Sequence, residues 1–103
     1  MQRFVMKVHE NYIGRKVVAV SDPDIIGKKI EDIDKGLEIN ISKEFYGEKE
    51  FEFSDVLQFI MNSENVNAIG NEIVEALVAE RIIEPKNIIT IGGVKHAQIY
   101  GIS

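Results

Sequence analysis

The chain has no cysteine, no tryptophan, two prolines and two histidines. Without cysteine there are no disulfides, no thiolate metal sites and no cysteine nucleophile, a composition that fits a reducing cytoplasm and excludes the stapled secreted scaffolds. His9 and His96 are too far apart for H-x-x-x-H or H-E-x-x-H spacing, so no metal site is expected. No cofactor motif is legible either. Bases are also scarce. Twelve Lys and Arg stand against 17 Asp and Glu, a formal charge of −5, so direct nucleic-acid binding by general phosphate attraction is not expected. Long apolar runs are missing as well. Ile88–Ile91 is far below the roughly 20 residues of a membrane span, and the start Met1-Gln2-Arg3-Phe4-Val5-Met6-Lys7 has no signal-peptide core. The expectation is a cytoplasmic protein with no membrane partner.

What is present is ordinary for one soluble domain, 1–103, in which 45% apolar residues supply one core. So short a chain has little room for a deep closed cavity, and any site is expected to be a shallow cleft or an edge.

Phe4, Met6 and Val8 alternate with Arg3 and Lys7, predicting a half-buried strand. Lys16–Val20 carries the continuous apolar run Val17-Val18-Ala19-Val20 after turn-forming Glu10–Gly14, and the two segments are expected to form a hairpin. Ser21-Asp22-Pro23-Asp24 marks a helix start that Gly27 keeps to a turn or two. The charged stretch from Lys28 to Gly36 is expected to be a surface loop. Leu37, Ile39 and Ile41 alternate with Glu38, Asn40 and Ser42, and Phe51 and Phe53 alternate with Glu50 and Glu52. With Phe45-Tyr46-Gly47 as the connecting loop, these predict a second hairpin. Ser54-Asp55 is expected to cap a helix carrying Val56, Leu57, Phe59, Ile60 and Met61. Ser63–Asn67 then interrupts, and Ile69, Ile73, Val74, Leu77 and Val78 predict a second helix from about Ala68 to Ile83. Pro85 stops it, and Ile88–Ile91 is a strand. The pattern predicts an α+β fold: a single compact domain with two N-terminal β-hairpins, a helix pair and a C-terminal strand joining the sheet.

Two groups of residues could carry chemistry. Gly92-Gly93 after the final strand can turn successive N–H groups inward as an anion nest, or can be a turn that needs positive φ. Lys95, His96 and Gln98 follow, and could hold an anionic group there. Catalysis would need a nucleophile and an orienting carboxylate, and no motif supplies them. Tyr46 can bury its ring while exposing its hydroxyl. Asn65, Asn67 and Asn71 read as caps and turn formers for the second helix. Carboxylate pairs such as Glu48 with Glu50 or Glu72 with Glu75 read as solvated surface.

Phe45-Tyr46-Gly47, Asn67-Ala68-Ile69-Gly70-Asn71-Glu72, the ending Ile91-Gly92-Gly93-Val94-Lys95-His96-Ala97-Gln98 and the earlier Ile26-Gly27-Lys28 together resemble a small archaeal family, domain of unknown function 424. The likeness runs from about Phe4 to Gln98, with Lys95 standing where the family pattern carries proline. The resemblance implies an archaeal, cytoplasmic α+β protein and brings no activity with it. The expected function is a non-enzymatic binding or interaction module for a protein or ribonucleoprotein partner, with homo-oligomers possible. The alternatives are a small enzyme or ligand-binding protein holding an anion at the glycine turn, and an RNA- or translation-associated factor. Candidate ligand-binding residues are Tyr46, Gly92, Gly93, Lys95, His96 and Gln98.

Overall fold

The computed structural model describes residues 2–100. Its centre is a six-stranded mixed sheet in the order β5-β1-β2-β6-β8-β7. β1 (Arg3–Glu10) and β2 (Lys16–Ser21) form the expected antiparallel hairpin. β2 then pairs in parallel with β6 (Asn65–Ile69), so the chain crosses the sheet between them. β6 pairs antiparallel with β8 (Val94–Tyr100), and β8 with β7 (Ile88–Ile91). β5 (Glu50–Glu52) is the other edge, antiparallel to β1.

Strand side chains alternate between the two faces of a sheet, and each face here has its own cover. Phe4, Met6, Val18, Val20, Val66 and Ala68 point to one face, where they pack with Val56 and Ile60 of α2 (Phe53–Met61) and Ile73, Val74 and Leu77 of α3 (Asn71–Ala79). This is the main core. Ala19 and Ile69 point to the other face and pack with Ile41 and Tyr46 in a smaller core. The second face is covered by a separate two-stranded sheet, β3 (Lys29–Asp32) with β4 (Leu37–Asn40), and by the single turn α1 (Lys43–Tyr46). The class is α+β, with the hairpins β1–β2, β3–β4 and, at the C-terminal end of the sheet, β7–β8, and with two longer helices.

Four segments depart from the sequence-based expectation. Lys28–Gly36 is not a loop throughout: Lys29–Asp32 is β3, whose single inward apolar residue Ile30 gives too weak an alternation to read. The second hairpin is therefore β3–β4, and Leu37–Ile41 does not pair with Phe51 and Phe53. Between them Ser42 accepts a hydrogen bond from the Phe45 N–H at 3.2 Å and starts α1, so Phe45 and Tyr46 lie on a helical turn. Asn65–Asn67 is part of a central strand. Asparagine is poor in strands, but Asn65 and Asn67 face the second side while Val66 and Ala68 enter the main core. The two helices are thus separated by a strand. Finally, the residues after Gly93 form β8, and Gly92 (φ 54°) and Gly93 (φ 82°) are the two central residues of a tight hairpin turn of the kind that requires positive φ twice.

Helix boundaries move for similar reasons. α2 starts at Phe53 rather than at Ser54-Asp55. α3 starts only at Asn71, because Ala68 and Ile69 belong to β6 and Gly70 (φ 124°) makes the corner. No helix among the described residues is long and apolar enough to cross a membrane.

Candidate functional site

The cover on the second face is incomplete. β3–β4 and α1 leave the surface around the start of β6 and the end of β8 accessible, with Gln98 exposed and Tyr100 68% exposed. Register decides what stands there. Asn67 lies between Ala19 on β2 and Gln98 on β8, Asn65 is paired with Tyr100, and His96 is paired with Ile69 on one side and Ile89 on the other.

Tyr46 reaches this row from α1. Its hydroxyl donates to Asn67 Oδ1 at 2.7 Å, and His96 Nε2 lies 3.2 Å from the same oxygen. An amide oxygen accepts, so His96 carries its proton on Nε2 and presents Nδ1 as an acceptor. Burial sets both protonation states. It pushes the Tyr46 phenol up to about 12 and lowers the His96 imidazole below its usual value of 6.5. Both groups are therefore held neutral at physiological pH. Among the described residues, Asn67 Nδ2 and His96 Nδ1 have no protein partner, and no fully buried side-chain nitrogen or oxygen is left unsatisfied, so neither atom is fully enclosed.

Tyr46 is itself braced. The Phe45 ring meets the Tyr46 ring edge-on at 4.9 Å, and His9 of β1 stacks on Phe45 at 4.8 Å with an 18° tilt. His9 Nε2 donates to the Phe45 carbonyl at 2.7 Å, and Lys7 Nζ donates to the Glu44 carbonyl at 2.9 Å. β1 thus fastens α1, and α1 positions the Tyr46 hydroxyl over β6.

The six residues singled out from sequence do not all converge. Tyr46 and His96 meet through Asn67, and Gln98 stands beside Asn67 on the same face. Lys95 points to the opposite, helical face, where its ammonium lies 3.6 Å from Glu75 of α3. Gly92 and Gly93 form the hairpin end, and the Gly92 N–H and the Gly93 carbonyl are engaged within the chain. Gly92 N–H donates to Asp32 Oδ2 at 2.9 Å, which together with the Lys35 N–H holds the Asp32 carboxyl below its usual range. The Gly93 carbonyl accepts from Asn71 Nδ2 at 3.2 Å, while Asn71 Oδ1 accepts the Lys95 N–H at 2.8 Å. Gly92 is also packed tightly: a Cβ there would lie 2.4 Å from the Glu31 carbonyl oxygen.

Asn67 is the residue sequence reasoning misassigned, as a turn former rather than the hub of the face. The available signal was the period-two pattern Asn65-Val66-Asn67-Ala68, amide alternating with apolar. His9 and Phe45 carried no comparable signal, since their contact spans 36 residues. Among the described residues no group of three His, Asp or Glu is placed to hold a metal ion. His96 bonds to an amide, which orients it without supplying charge, so the chemistry of the arrangement is hydrogen-bond donation and acceptance by neutral groups.

Fold and site together define an α+β protein with one sheet face closed by helices and the other carrying a half-open row of neutral polar groups rimmed by aromatics. The chain belongs to the family described as protein of unknown function (DUF424), whose model matches residues 10–102. The fold is similar to that of an uncharacterized conserved protein from Methanopyrus kandleri, solved by crystallography, with a TM-score of 0.79 at 24% identity over 98% of this chain and 93% of that one. No match to the chain was found among curated proteins.

Proposed function

We propose that this protein is a cytoplasmic, non-enzymatic binding module that engages a protein partner through the half-open sheet face centred on Asn67. The observation that carries the reading is the convergence of Tyr46 and His96 on Asn67 Oδ1, which leaves Asn67 Nδ2 and His96 Nδ1 beside Gln98 without a partner among the described residues. One donor and one acceptor, both neutral, suit amide and hydroxyl groups of a partner rather than phosphate or carboxylate. Binding of an anion at the glycine turn finds less support, because Asp32 already accepts the Gly92 N–H and Lys95 lies on the other face beside Glu75. The absence of cysteine accords with a reducing compartment.

A photoreactive residue at Gln98 tests the reading, with the same residue at Glu80, past the end of α3, as control. In lysate of the source organism, the Gln98 probe is expected to yield a protein adduct of discrete mass that His96→Ala or Asn67→Ala diminishes and the Glu80 probe does not form. Equal labelling from both positions, or adducts indifferent to His96 and Asn67, would overturn the proposal.

A further inference from the structure

β7 is an edge strand, and edge strands expose unpaired backbone groups that can template another chain. Which groups point outward follows from the turn. Ile91 and Val94 close a two-residue hairpin, so the backbone groups of Ile91 and Ile89 turn toward β8 while those of Thr90 and Ile88 turn away from it. Lys95, opposite Thr90, obeys the same alternation: its N–H donates to Asn71 Oδ1 and its carbonyl accepts the Gly70 N–H, both away from β7.

Three outward groups near this edge are already occupied by the chain itself. The Ile88 N–H donates to the Pro85 carbonyl. Lys35 Nζ, from the β3–β4 turn, donates to the Thr90 carbonyl. The Gly92 N–H donates to Asp32, whose other oxygen accepts the Lys35 N–H and so ties the two contacts together. Among the described residues the Thr90 N–H and the Ile88 carbonyl have no partner. The strand is the uncharged run Ile88-Ile89-Thr90-Ile91, with the Ile89 side chain 54% exposed. Such a run has high β propensity and nothing that repels a copy of itself. The opposite edge differs, since β5 has three residues and two of them are Glu50 and Glu52, which like charge keeps from self-pairing.

We propose that the outer edge of β7 is a latent strand-pairing site for a second copy of this chain, kept closed by Asp32 and Lys35 of the β3–β4 hairpin. Opening the clasp frees the Thr90 carbonyl, and two β7 edges then pair antiparallel about a two-fold axis at Thr90, each Thr90 N–H donating to the Thr90 carbonyl of the other copy. The inference is independent of the Asn67 face.

Light scattering after size exclusion, over a concentration series, reads the outcome. Wild type is expected not to pair through β7, so Thr90→Pro alone leaves its mass unchanged. Asp32→Ala/Lys35→Ala is expected to gain mass toward twice that of wild type, and adding Thr90→Pro, which deletes the outward N–H, is expected to return it to the wild-type mass. Amide exchange at Thr90 is expected to slow only in the associated form. If near-ultraviolet circular dichroism shows that the double variant has lost its fold, Lys35→Ala alone, a change at an exposed side chain, takes its place with the same expectation. A clasp variant that keeps the wild-type mass at every concentration, association that survives Thr90→Pro, or a wild-type mass that Thr90→Pro lowers would each overturn the proposal.

Discussion

Asp22 caps a helix that lies 50 residues away in sequence, and removing it should weaken the fold more than any other single surface-distant polar change. The side chain is 5% exposed; its Oδ2 accepts the Glu72 N–H at 3.0 Å and its Oδ1 the Ile73 N–H at 2.8 Å. These are two of the donors that a helix start leaves without an internal partner. The usual cap position of α3 is Gly70, which has no side chain to offer, and a Cβ there would lie 2.4 Å from the Asp22 carboxyl carbon. Glycine at 70 is what admits Asp22. A cap contributes about 0.5–2 kcal/mol; burial of the carboxylate outweighs the extra gain that its charge brings to the two bonds, but truncation leaves two N–H groups at a buried helix start without an acceptor, at about 1–3 kcal/mol. Asp22→Ala is therefore expected to cost about 2–3 kcal/mol, or roughly 10–20 °C in Tm for a domain of this size. Asp22→Asn, which keeps one acceptor oxygen, should fall between. Urea denaturation of the three proteins measures this, and a loss below about 0.5 kcal/mol for Asp22→Ala would refute the reasoning. The pH dependence is a second check. Burial raises the Asp22 carboxyl above 3.8 despite the two N–H donors. The stability linked to that shift is full below 3.8 and is lost as pH rises through the folded-state value, because the folded protein there binds the proton more tightly than the unfolded chain. The stability difference between wild type and Asp22→Asn should shrink across that window as pH rises.

His96 should act with the opposite sign: its imidazole is lowered from 6.5 by burial, so its contribution is present above 6.5 and lost as pH falls through the folded value. Urea midpoints taken across this range should show a decline on acidification that His96→Gln lessens, and identical profiles would count against a buried neutral imidazole. Tyr46→Phe should abolish a phenolate absorbance step near 12 and cost about 0.5–1.5 kcal/mol, since Asn67 Oδ1 keeps His96 as a partner; an unchanged alkaline titration would remove Tyr46 from the buried network. Gly92→Ala should destabilise more than Gly93→Ala. Both have positive φ, at a cost of about 1–2 kcal/mol for alanine, but only the methyl at 92 meets the Glu31 carbonyl, whereas at 93 nothing lies within 4 Å. Equal losses in denaturation would show that the β3 contact imposes no constraint.

Elements with strong periodicity were legible in the sequence, and those whose reason lies elsewhere in the chain were not. β1 and β2 followed from alternation and a continuous apolar run, and α2 and the centre of α3 from helical spacing. β6 was hidden because two of its five residues are asparagines, acceptable in a central strand only because they face a side left partly open. β3 was hidden because it lies on the outside of the molecule and needs a single apolar residue inward. The start of α3 could not be read because its cap is Asp22. At the site, Tyr46 and His96 were picked out as residue types able to bury a ring and present a polar atom. Their meeting through Asn67 depends on the parallel pairing of β2 with β6 and on α1 being pinned by His9, neither of which has a local sequence signal.

By itself the sequence determined the class of the protein, the apolar content that fills its interior, and the glycines where the backbone turns, because these depend on local periodicity and composition. Tertiary structure alone decided which face each residue of the Gly92–Gln98 segment serves. Alternation along β8 sends Lys95 to the helices and His96 to the open face, and the docking of β3 converts the glycine turn from a free anion nest into a contact for Asp32. Side chains adjacent in sequence point apart in a strand, so convergence into a site is a property of the sheet rather than of the motif.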